Sequence, residues 1–451
     1  MDRYALKRKS LNTQRQRVDR FVLPQENIDN MRRRKALDLL KENCNMEIWY
    51  SKYLQQKKFL KCIDEAFEFT PLKYPQDGLY HDHSPQHEPL VTNWPCMPRS
   101  RKYLSLADSI LDLPGYSDAD FPELLDWNCD NILIAALGRN YHKWSWQTQA
   151  HINQGETNSD IFCCKFHPEG KLMAFGTKKF SVEIHDISLR KLVDSADCAC
   201  IYFGSYPTCS ITAVEWSPTG CSYITGCSNG ILVSRTKSNE IISTARRTAG
   251  STIMSLKISP DSRYISVASV NSDTVYILTW PELAVYTALS SKYWTVKTLA
   301  WHPWRSALLA MGGNSTDVYS RIVLWEVPAA KYQDYRLGLN TYYIDSMLFN
   351  HKSGELIVSL WNPDPGCKTR LVVMSDPDTA VDEWGEERHL FDRIRHMIFS
   401  SDGTMLATAT SEEDLIIWNF LPDNKKKNTK RKNFSALPVY FDKLTHGFSL
   451  R

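Results

Sequence analysis

The sequence lacks any long apolar run. No stretch approaches the roughly 18 consecutive apolar residues of a membrane-spanning helix, and no apolar segment follows a charged start near residue 1. These absences predict a soluble protein made in the cytosol, without a membrane partner. We expect it in the cytoplasm, with the nucleus as a second location.

A strong overall charge is also absent. The formal net charge is +3 across 451 residues, so we expect no direct binding to nucleic acid. Basic residues are concentrated at the two ends: 11 Lys or Arg against four acids in residues 1–35, and the run "KKKNTKRK" at Lys425–Lys432. Such runs usually form solvated tails, and a nuclear-import signal or a polyanion contact is the alternative.

The pattern of cysteines lacks paired CxxC motifs. Of the 12 cysteines, Cys163-Cys164 and Cys198-Ala199-Cys200 are too closely spaced for zinc knuckles, which predicts reduced and mostly buried thiols. The histidine-rich "HDHSPQH" at His81–His87 has no surrounding frame of cysteines or carboxylates. We therefore expect no metal and no cofactor.

Catalytic motifs are missing too. The chain contains no GxSxG elbow, no GxxxxGK[ST] loop, no HExxH and no GxGxxG. Carboxylates are abundant, but nothing in the sequence pairs two of them as acid and base. The prediction is a non-enzymatic binding platform without catalytic residues.

The chain does contain a repeated unit. An apolar strand ends in a large residue, a tight turn of the Pro-x-Gly type follows, and two more strands come after the turn, as in "LMAFGTKKFSVEIHDI" at Leu172–Ile187. The large residues recur at intervals of 39 to 50 residues. These seven anchors are Trp127, Phe166, Trp216, Ile258, Trp301, Phe349 and Phe399.

A period of this length with four strands per unit is typical of a β-propeller of the WD-repeat type. Pro fixes φ early in the turn, and Gly tolerates the conformation that follows. A helical solenoid would need a 3.6-residue period, and a β-sandwich would not repeat its turn at this interval. The predicted fold class is therefore all-β, a seven-bladed propeller.

The last unit, residues 396–420, supplies only three strands, although an unpaired edge would leave the ring open to aggregation. The apolar segment "LADSILDLP" at Leu106–Pro114 precedes the first unit. We predict that it pairs with the last blade, so that the ring spans residues 105–422. A basic C-terminal tail, residues 423–451, would follow.

Residues 1–104 form the predicted N-terminal extension. It contains a compact apolar segment at Phe21–Pro24, a predicted helix over 33–67 and an extended proline-rich linker over 70–104. The helix would either pack on the ring or dock on another protein, because its apolar stripe has no partner in the tail. That stripe comprises Trp49, Tyr53, Leu60, Ile63 and Phe67.

Three segments carry a more specific resemblance. They are "ILDLPGYSDADFPELLDWNCDNILIAAL" (Ile110–Leu137), "VKTLAWHPWRSALLAMGGNSTDVYSRIVLWEV" (Val296–Val327) and "MIFSSDGTMLATATSEEDLIIWNF" (Met397–Phe420). They resemble the Fizzy and Fizzy-related family, WD-repeat activators of the anaphase-promoting complex, a ubiquitin ligase. The divergent loops and the tail are most similar to the insect Cortex branch of that family.

The resemblance implies two docking motifs. The family's N-terminal C-box reads roughly Asp-Arg-Phe-Ile-Pro, and here Asp19, Arg20 and Phe21 match, with Val22 in place of Ile and Leu23 inserted before Pro24. The family ends in Ile-Arg, which enters a pocket of the ligase. This chain ends in Leu450-Arg451, which keeps an apolar group beside an arginine.

The resemblance also implies two degron sites. The family reads the destruction box, RxxL, in a groove between the first and last blades, where Asp112 and Glu413 match its acidic positions. The predicted closure of the ring independently brings those two segments together. For the KEN box, Arg393 and Thr316 match, but "ASVNSD" at Ala268–Asp273 and Ala119 depart from the family, so we expect weakened or altered KEN recognition.

These features together predict a non-catalytic activator that recruits degron-bearing substrates such as cyclins to the anaphase-promoting complex in cell-cycle or meiotic control. Outside the ligase we expect a monomer. The rival interpretations are a generic WD-repeat scaffold, a substrate receptor of another ubiquitin ligase, and an enzymatic propeller. The last would need polar groups that converge on the central channel.

Overall fold

Seven antiparallel sheets make up the part of the chain that the structure, a computed structural model, describes. That part comprises residues 94–104, 107–116, 123–203, 209–246, 251–270, 272–290, 294–315, 319–340, 342–362, 369–384 and 393–422. Each sheet has four strands. No helix among these residues is long and apolar enough to cross a membrane.

Blades 1 to 4 use strands β2 to β17. Their bounds are β2 Leu125–Trp127, β3 Ile132–Leu137, β4 Asn140–Ser145, β5 Ala150–Glu156, β6 Ile161–Phe166, β7 Leu172–Thr177, β8 Ser181–Asp186, β9 Lys191–Asp197, β10 Ile211–Trp216, β11 Ser222–Cys227, β12 Ile231–Thr236, β13 Ile241–Arg246, β14 Ile253–Ile258, β15 Tyr264–Ser269, β16 Thr274–Thr279 and β17 Val285–Ser290. A short 3-10 helix, Ala199–Phe203, lies between blades 2 and 3.

Blades 5 to 7 complete the ring with the remaining strands. Their bounds are β18 Trp294–Trp301, β19 Leu308–Ser315, β20 Tyr319–Glu326, β21 Lys331–Asn340, β22 Tyr343–Phe349, β23 Leu356–Trp361, β24 Arg370–Asp376, β25 Thr379–Trp384, β26 Ile394–Phe399, β27 Met405–Thr410, β28 Asp414–Asn419 and β1 Ala107–Asp112. The inner strand of each blade contacts that of the next, and β26 contacts β2, which closes the circle.

The predicted closure is confirmed. Blade 7 has the strand order β1-β28-β27-β26, so its outer strand comes from the segment before the first repeat. In the register, Ile110 lies opposite Ile416, Leu111 opposite Leu415 and Asp112 opposite Asp414. Leu111 of this closing strand packs in one core with residues of blades 7, 1 and 2. Blade 7 therefore has four strands like the other blades, and β28 is not left as its edge.

The predicted repeat is confirmed at the level of single residues. Each of the seven anchors is the last residue of the inner strand of its blade. The turn that follows is tight: at Gly170, φ is +77°, and a Cβ there would lie 2.7 Å from the sulfur of Cys129 in the preceding blade. Asn128 donates to the carbonyl of Gly170 at 3.0 Å. The turns thus link neighbouring blades as well as strands.

Residues 94–104 differ from the sequence prediction, which assigned them to an extended linker. They have no regular secondary structure, but they are packed against the ring. Trp94 is 4% exposed and meets the ring of Phe349 edge-on at 5.4 Å. Arg99 forms ion pairs with Glu355 at 2.9 Å and Asp382 at 2.8 Å, and all three side chains are fully buried. This segment is therefore part of the folded domain.

Candidate functional site

The candidate degron residues lie on one face of the propeller. Strands β26 and β27 are antiparallel, so the start of β26 and the end of β27 lie at the same end of blade 7, where Ser411 N donates to Arg393 O at 2.9 Å. The same geometry holds in every blade. One face of the ring carries the connections from the outer strand of each blade to the inner strand of the next. It also carries the turns between the second and third strands of each blade, and we call it the loop face. Asp112, Arg393 and Glu413 all lie on it.

The structure brings Asp112 and Glu413 together. Asp112 ends β1 opposite Asp414, and Glu413 precedes Asp414 in the turn between β27 and β28 with a φ of 67°. The carbonyl oxygen of Glu413 accepts from Leu113 N at 2.6 Å, and its carboxylate Oε1 accepts from Gly115 N at 2.9 Å. Glu413 therefore fixes the chain that leaves the closing strand, in addition to contributing negative charge.

We call Asp112, Glu412, Glu413 and Asp414 the acidic corner. Burial and the neighbouring charge of Asp112 raise the pKa of Asp414 above its ordinary value. The carboxylates of Asp112 and Asp414 therefore repel one another, and a guanidinium placed beside them would relieve that repulsion while it donates charge-assisted hydrogen bonds to them. This arrangement suits an arginine side chain.

The surroundings of the acidic corner differ on the two sides of β1. Leu111 and Leu113 pack into the core shared with blade 1, and Leu113 and Tyr116 are fully buried. Asp112 alternates to the other side of the strand, together with Ile110, which is 51% exposed. The exposed apolar group beside the acids is thus Ile110, whereas the leucines that face blade 1 are already packed.

Arg393, a predicted KEN-box residue, is already engaged. Its Nη2 lies 2.7 Å from Oδ1 of Asp345, and its Cζ lies 4.3 Å from the ring centroid of Trp361. Burial raises the pKa of Asp345, although the arginine opposes that effect. Ala268, at the end of β15 in the segment that departs from the family, is 1% exposed. A ligand of Arg393 would have to share it with Asp345.

A cavity of about 650 Å³ occupies the central channel, lined by residues from all seven inner strands. The position directly before the anchor is charged in blades 1 to 4 and apolar in blades 5 to 7. In blade order, these residues are Asp126, Lys165, Glu215, Lys257, Ala300, Leu348 and Ile398. This alternation of charge was not predicted, although it is visible in the sequence at the position before each anchor.

The channel charges pair with one another. Lys257 Nζ lies 3.0 Å from Glu123 and 3.4 Å from Glu215, and Lys165 Nζ lies 3.3 Å from Asp126. Burial disfavours the charged form of Lys257, but Glu123 and Glu215 raise its pKa above the ordinary value. Polar groups do converge on the channel, as an enzymatic propeller would require. Their arrangement is that of mutually neutralising ion pairs.

Several predicted residues lie outside the residues that the structure describes. This holds for the predicted helix over 33–67, for the histidine-rich segment at His81–His87, and for Ala119. It also holds for the ligase-docking residues and one KEN-box residue, namely Asp19, Arg20, Phe21, Val22, Pro24, Thr316, Leu450 and Arg451. Their roles remain predictions from the sequence.

Known proteins resemble this chain in sequence to different degrees. No protein-family model matches it. It is 49% identical over 462 residues to Protein cortex of Heliconius erato, with 100% of both chains covered. It is 22% identical over 338 residues to the APC/C activator protein CDH1 of Saccharomyces cerevisiae, covering 70% of this chain and 53% of that protein.

A solved structure supports the fold independently of the sequence. One chain of a structure described as the crystal structure of the mitotic checkpoint complex matches with a TM-score of 0.59. The match covers 76% of this chain and 100% of that chain, at 20% sequence identity. At this identity the likeness concerns the propeller alone.

Proposed function

The chain belongs to the Cortex branch of the Fizzy family of WD-repeat proteins, and we propose that it is a substrate-recruiting activator of the anaphase-promoting complex. In this role it brings proteins that carry a destruction box to the ligase and supplies no catalytic group itself. The observation that carries the proposal is the acidic corner, which exists because the closing strand ends beside the last turn of blade 7.

The acidic corner binds the arginine of the RxxL motif. Asp112 is exposed, and its charge is close enough to Asp414 to raise the pKa of that carboxyl. A guanidinium there would form charge-assisted hydrogen bonds, each of which contributes about 1.5 to 3 kcal/mol. The leucine of the motif would find its nearest exposed apolar partner in Ile110 on the same side of β1.

Two short motifs hold the chain on the ligase. Asp19, Arg20, Phe21, Val22 and Pro24 form the N-terminal hook, and Leu450-Arg451 form the C-terminal one. Each is too short to bind tightly alone, but their linkage through one protein makes the second contact intramolecular. Such linkage strengthens binding by about 10²- to 10⁴-fold.

KEN-box recognition is altered in this chain. Arg393 and Thr316 are the residues that would contact such a motif, but Arg393 is shared with Asp345. The segment Ala268–Asp273, which reads "ASVNSD", also departs from the family's "GGNDN". Substrates with an RxxL motif are therefore preferred over substrates with a KEN motif alone.

Binding of a fluorescent RxxL peptide tests the acidic corner. We expect Asp112→Asn to lower the affinity for the peptide about tenfold or more, because the substitution removes a charge-assisted contact at constant side-chain volume. Asp108→Asn is the matched control, since Asp108 is an exposed acid on the same strand. If wild type and Asp112→Asn bind the peptide with equal affinity, as a generic scaffold would, the degron assignment is refuted.

A further inference from the structure

Four cysteines meet at the junction of blades 2 and 3. Cys198 directly follows β9, Cys200 lies in the 3-10 helix Ala199–Phe203, Cys209 precedes β10, and Cys227 ends β11. All four sulfur atoms lie within 4.8 Å of one another, and all four residues are buried. Three separate segments thus bring their thiols to one point on the loop face.

The distances between these sulfurs suit a single tetrahedral metal ion. Sγ of Cys200 lies 3.3 Å from that of Cys198, 3.2 Å from that of Cys209 and 3.5 Å from that of Cys227. A Zn²⁺ ion with Zn–S bonds of about 2.3 Å would place its four sulfurs about 3.8 Å apart. A disulfide would require about 2.05 Å between two of them. An iron–sulfur cluster, built from several metal atoms, would spread its ligands more widely.

Two nitrogen donors lie beside the sulfurs. Ile231 N donates to Sγ of Cys227 at 3.4 Å, and Nδ2 of Asn229 donates to Sγ of Cys200 at 3.6 Å. Outer donors of this kind are a regular feature of metal–thiolate sites, because they orient the ligands and disperse their charge.

Other buried cysteines of the same region lack this arrangement. Cys163 packs in the same apolar core, but its Sγ is directed at the carbonyl oxygen of Ile211 at 3.8 Å. Cys221 is 6% exposed, and its Sγ is directed at Thr219 O at 3.8 Å. Burial of cysteine in this part of the fold therefore does not by itself bring sulfur atoms together.

We propose that Cys198, Cys200, Cys209 and Cys227 bind one Zn²⁺ ion. With four protein ligands the site has no open coordination position, so its role is structural. The ion ties the connection between blades 2 and 3 to the turn that follows β11. It also fixes the short helix that presents Tyr202, which is 78% exposed, on the loop face. This proposal replaces the sequence expectation of no metal, which considered only local cysteine spacing.

Metal analysis of the full chain, purified without chelators or a histidine tag, tests the proposal. Plasma mass spectrometry should find about one zinc ion per chain, as a closed four-thiolate site requires. Cys200→Ser and Cys227→Ser should each lose most of the zinc. Cys221→Ser is the control from the same blade and should retain it. Chain refolded with Co²⁺ alone should show the intense sulfur-to-cobalt charge-transfer absorption of a tetrahedral tetrathiolate.

Three results would overturn the proposal. The first is that purified wild-type chain contains no zinc and that its native mass is that of a chain with free thiols or disulfides. The second is equal loss of zinc in Cys221→Ser and Cys227→Ser. The third, decisive even if the variants fail to fold, is a wild-type Co²⁺ spectrum without sulfur-to-cobalt charge transfer.

Discussion

Glu413 contributes to closure of the ring and also belongs to the proposed RxxL site. Its backbone carbonyl and its carboxylate accept hydrogen bonds from Leu113 N and Gly115 N, which hold the chain beyond the closing strand. Removal of Glu413 would therefore disturb the fold as well as any bound peptide. Asp112, whose side chain is exposed, is the better position for a test of binding.

Arg99 carries the first residue-scale prediction. We expect Arg99→Met to destabilise the propeller by about 3 to 5 kcal/mol, because it leaves the buried carboxylates of Glu355 and Asp382 without their counter-charge. The free energy of unfolding in urea measures this change. Arg101→Met, at an exposed position two residues later, is the control and should change stability by less than about 0.5 kcal/mol. Equal effects of the two substitutions would show that the segment is a linker after all.

His302 carries a prediction of pH dependence. It is fully buried, Nδ1 accepts hydrogen bonds from Trp304 N and Arg305 N, and Nε2 donates to Pro95 O at 2.8 Å. Burial lowers its pKa from 6.5 to about 4, so the unfolded chain takes up the proton first as the pH falls. This contribution to stability is therefore complete above pH 6.5 and is lost as the pH falls towards 4.

Urea unfolding between pH 7.5 and 4 measures that dependence. We expect His302→Gln to be less stable than wild type at neutral pH but to lose less stability on acidification, since the group that titrates is gone. His151→Gln, at an exposed position, should follow the wild-type curve. Identical slopes for wild type and His302→Gln would contradict the assignment of His302 as a neutral buried group.

At the scale of elements, the closing strand β1 supplies the outer strand of blade 7. Leu111 is 7% exposed and packs in the core shared by blades 7, 1 and 2, whereas its neighbour Ile110 is 51% exposed. We expect Leu111→Ala to cost about 2 to 5 kcal/mol of unfolding free energy and Ile110→Ala far less. Hydrogen exchange of the β28 amides should accelerate only in the first variant. Comparable exchange in both would mean that β1 does not hold blade 7.

The elements differ in how far the sequence could predict them. The repeats were predictable because each anchor, from Trp127 to Phe399, ends an inner strand. The closing strand was predictable because a three-stranded last unit leaves an edge that must be paired. Residues 94–104 were not, because prolines and isolated aromatics have no strand period, and the role of Arg99 depends on acids more than 250 positions away.

The candidate sites show the same division. The adjacency of Asp112 and Glu413 followed from the closure of the ring, which a sequence can imply. The four-cysteine group did not, because Cys227 reaches the others only through the packing of blade 3 against blade 2. The channel charges were also missed, since Lys165 and Lys257 acquire their partners from neighbouring blades.

At the scale of the whole molecule, the propeller offers a rigid loop face with candidate sites at different blades. The acidic corner belongs to blade 7, Arg393 and Asp345 lie at blades 7 and 6, and the four-cysteine group lies at blades 2 and 3. In the channel, the position before each anchor is charged in blades 1 to 4 and apolar in blades 5 to 7. The candidate sites therefore differ from blade to blade on an otherwise repetitive ring.

Ubiquitination of an RxxL substrate by purified anaphase-promoting complex tests the account most directly. The intact chain should stimulate the reaction, and a chain with Arg20→Ala that also lacks Leu450-Arg451 should need about 100-fold more protein for the same rate, because both tethers are weakened. Asp112→Asn should reduce stimulation for RxxL substrates, whereas Asp108→Asn should not. If the intact chain gives no stimulation, or if all four proteins stimulate equally, the chain does not recruit substrates in the way proposed.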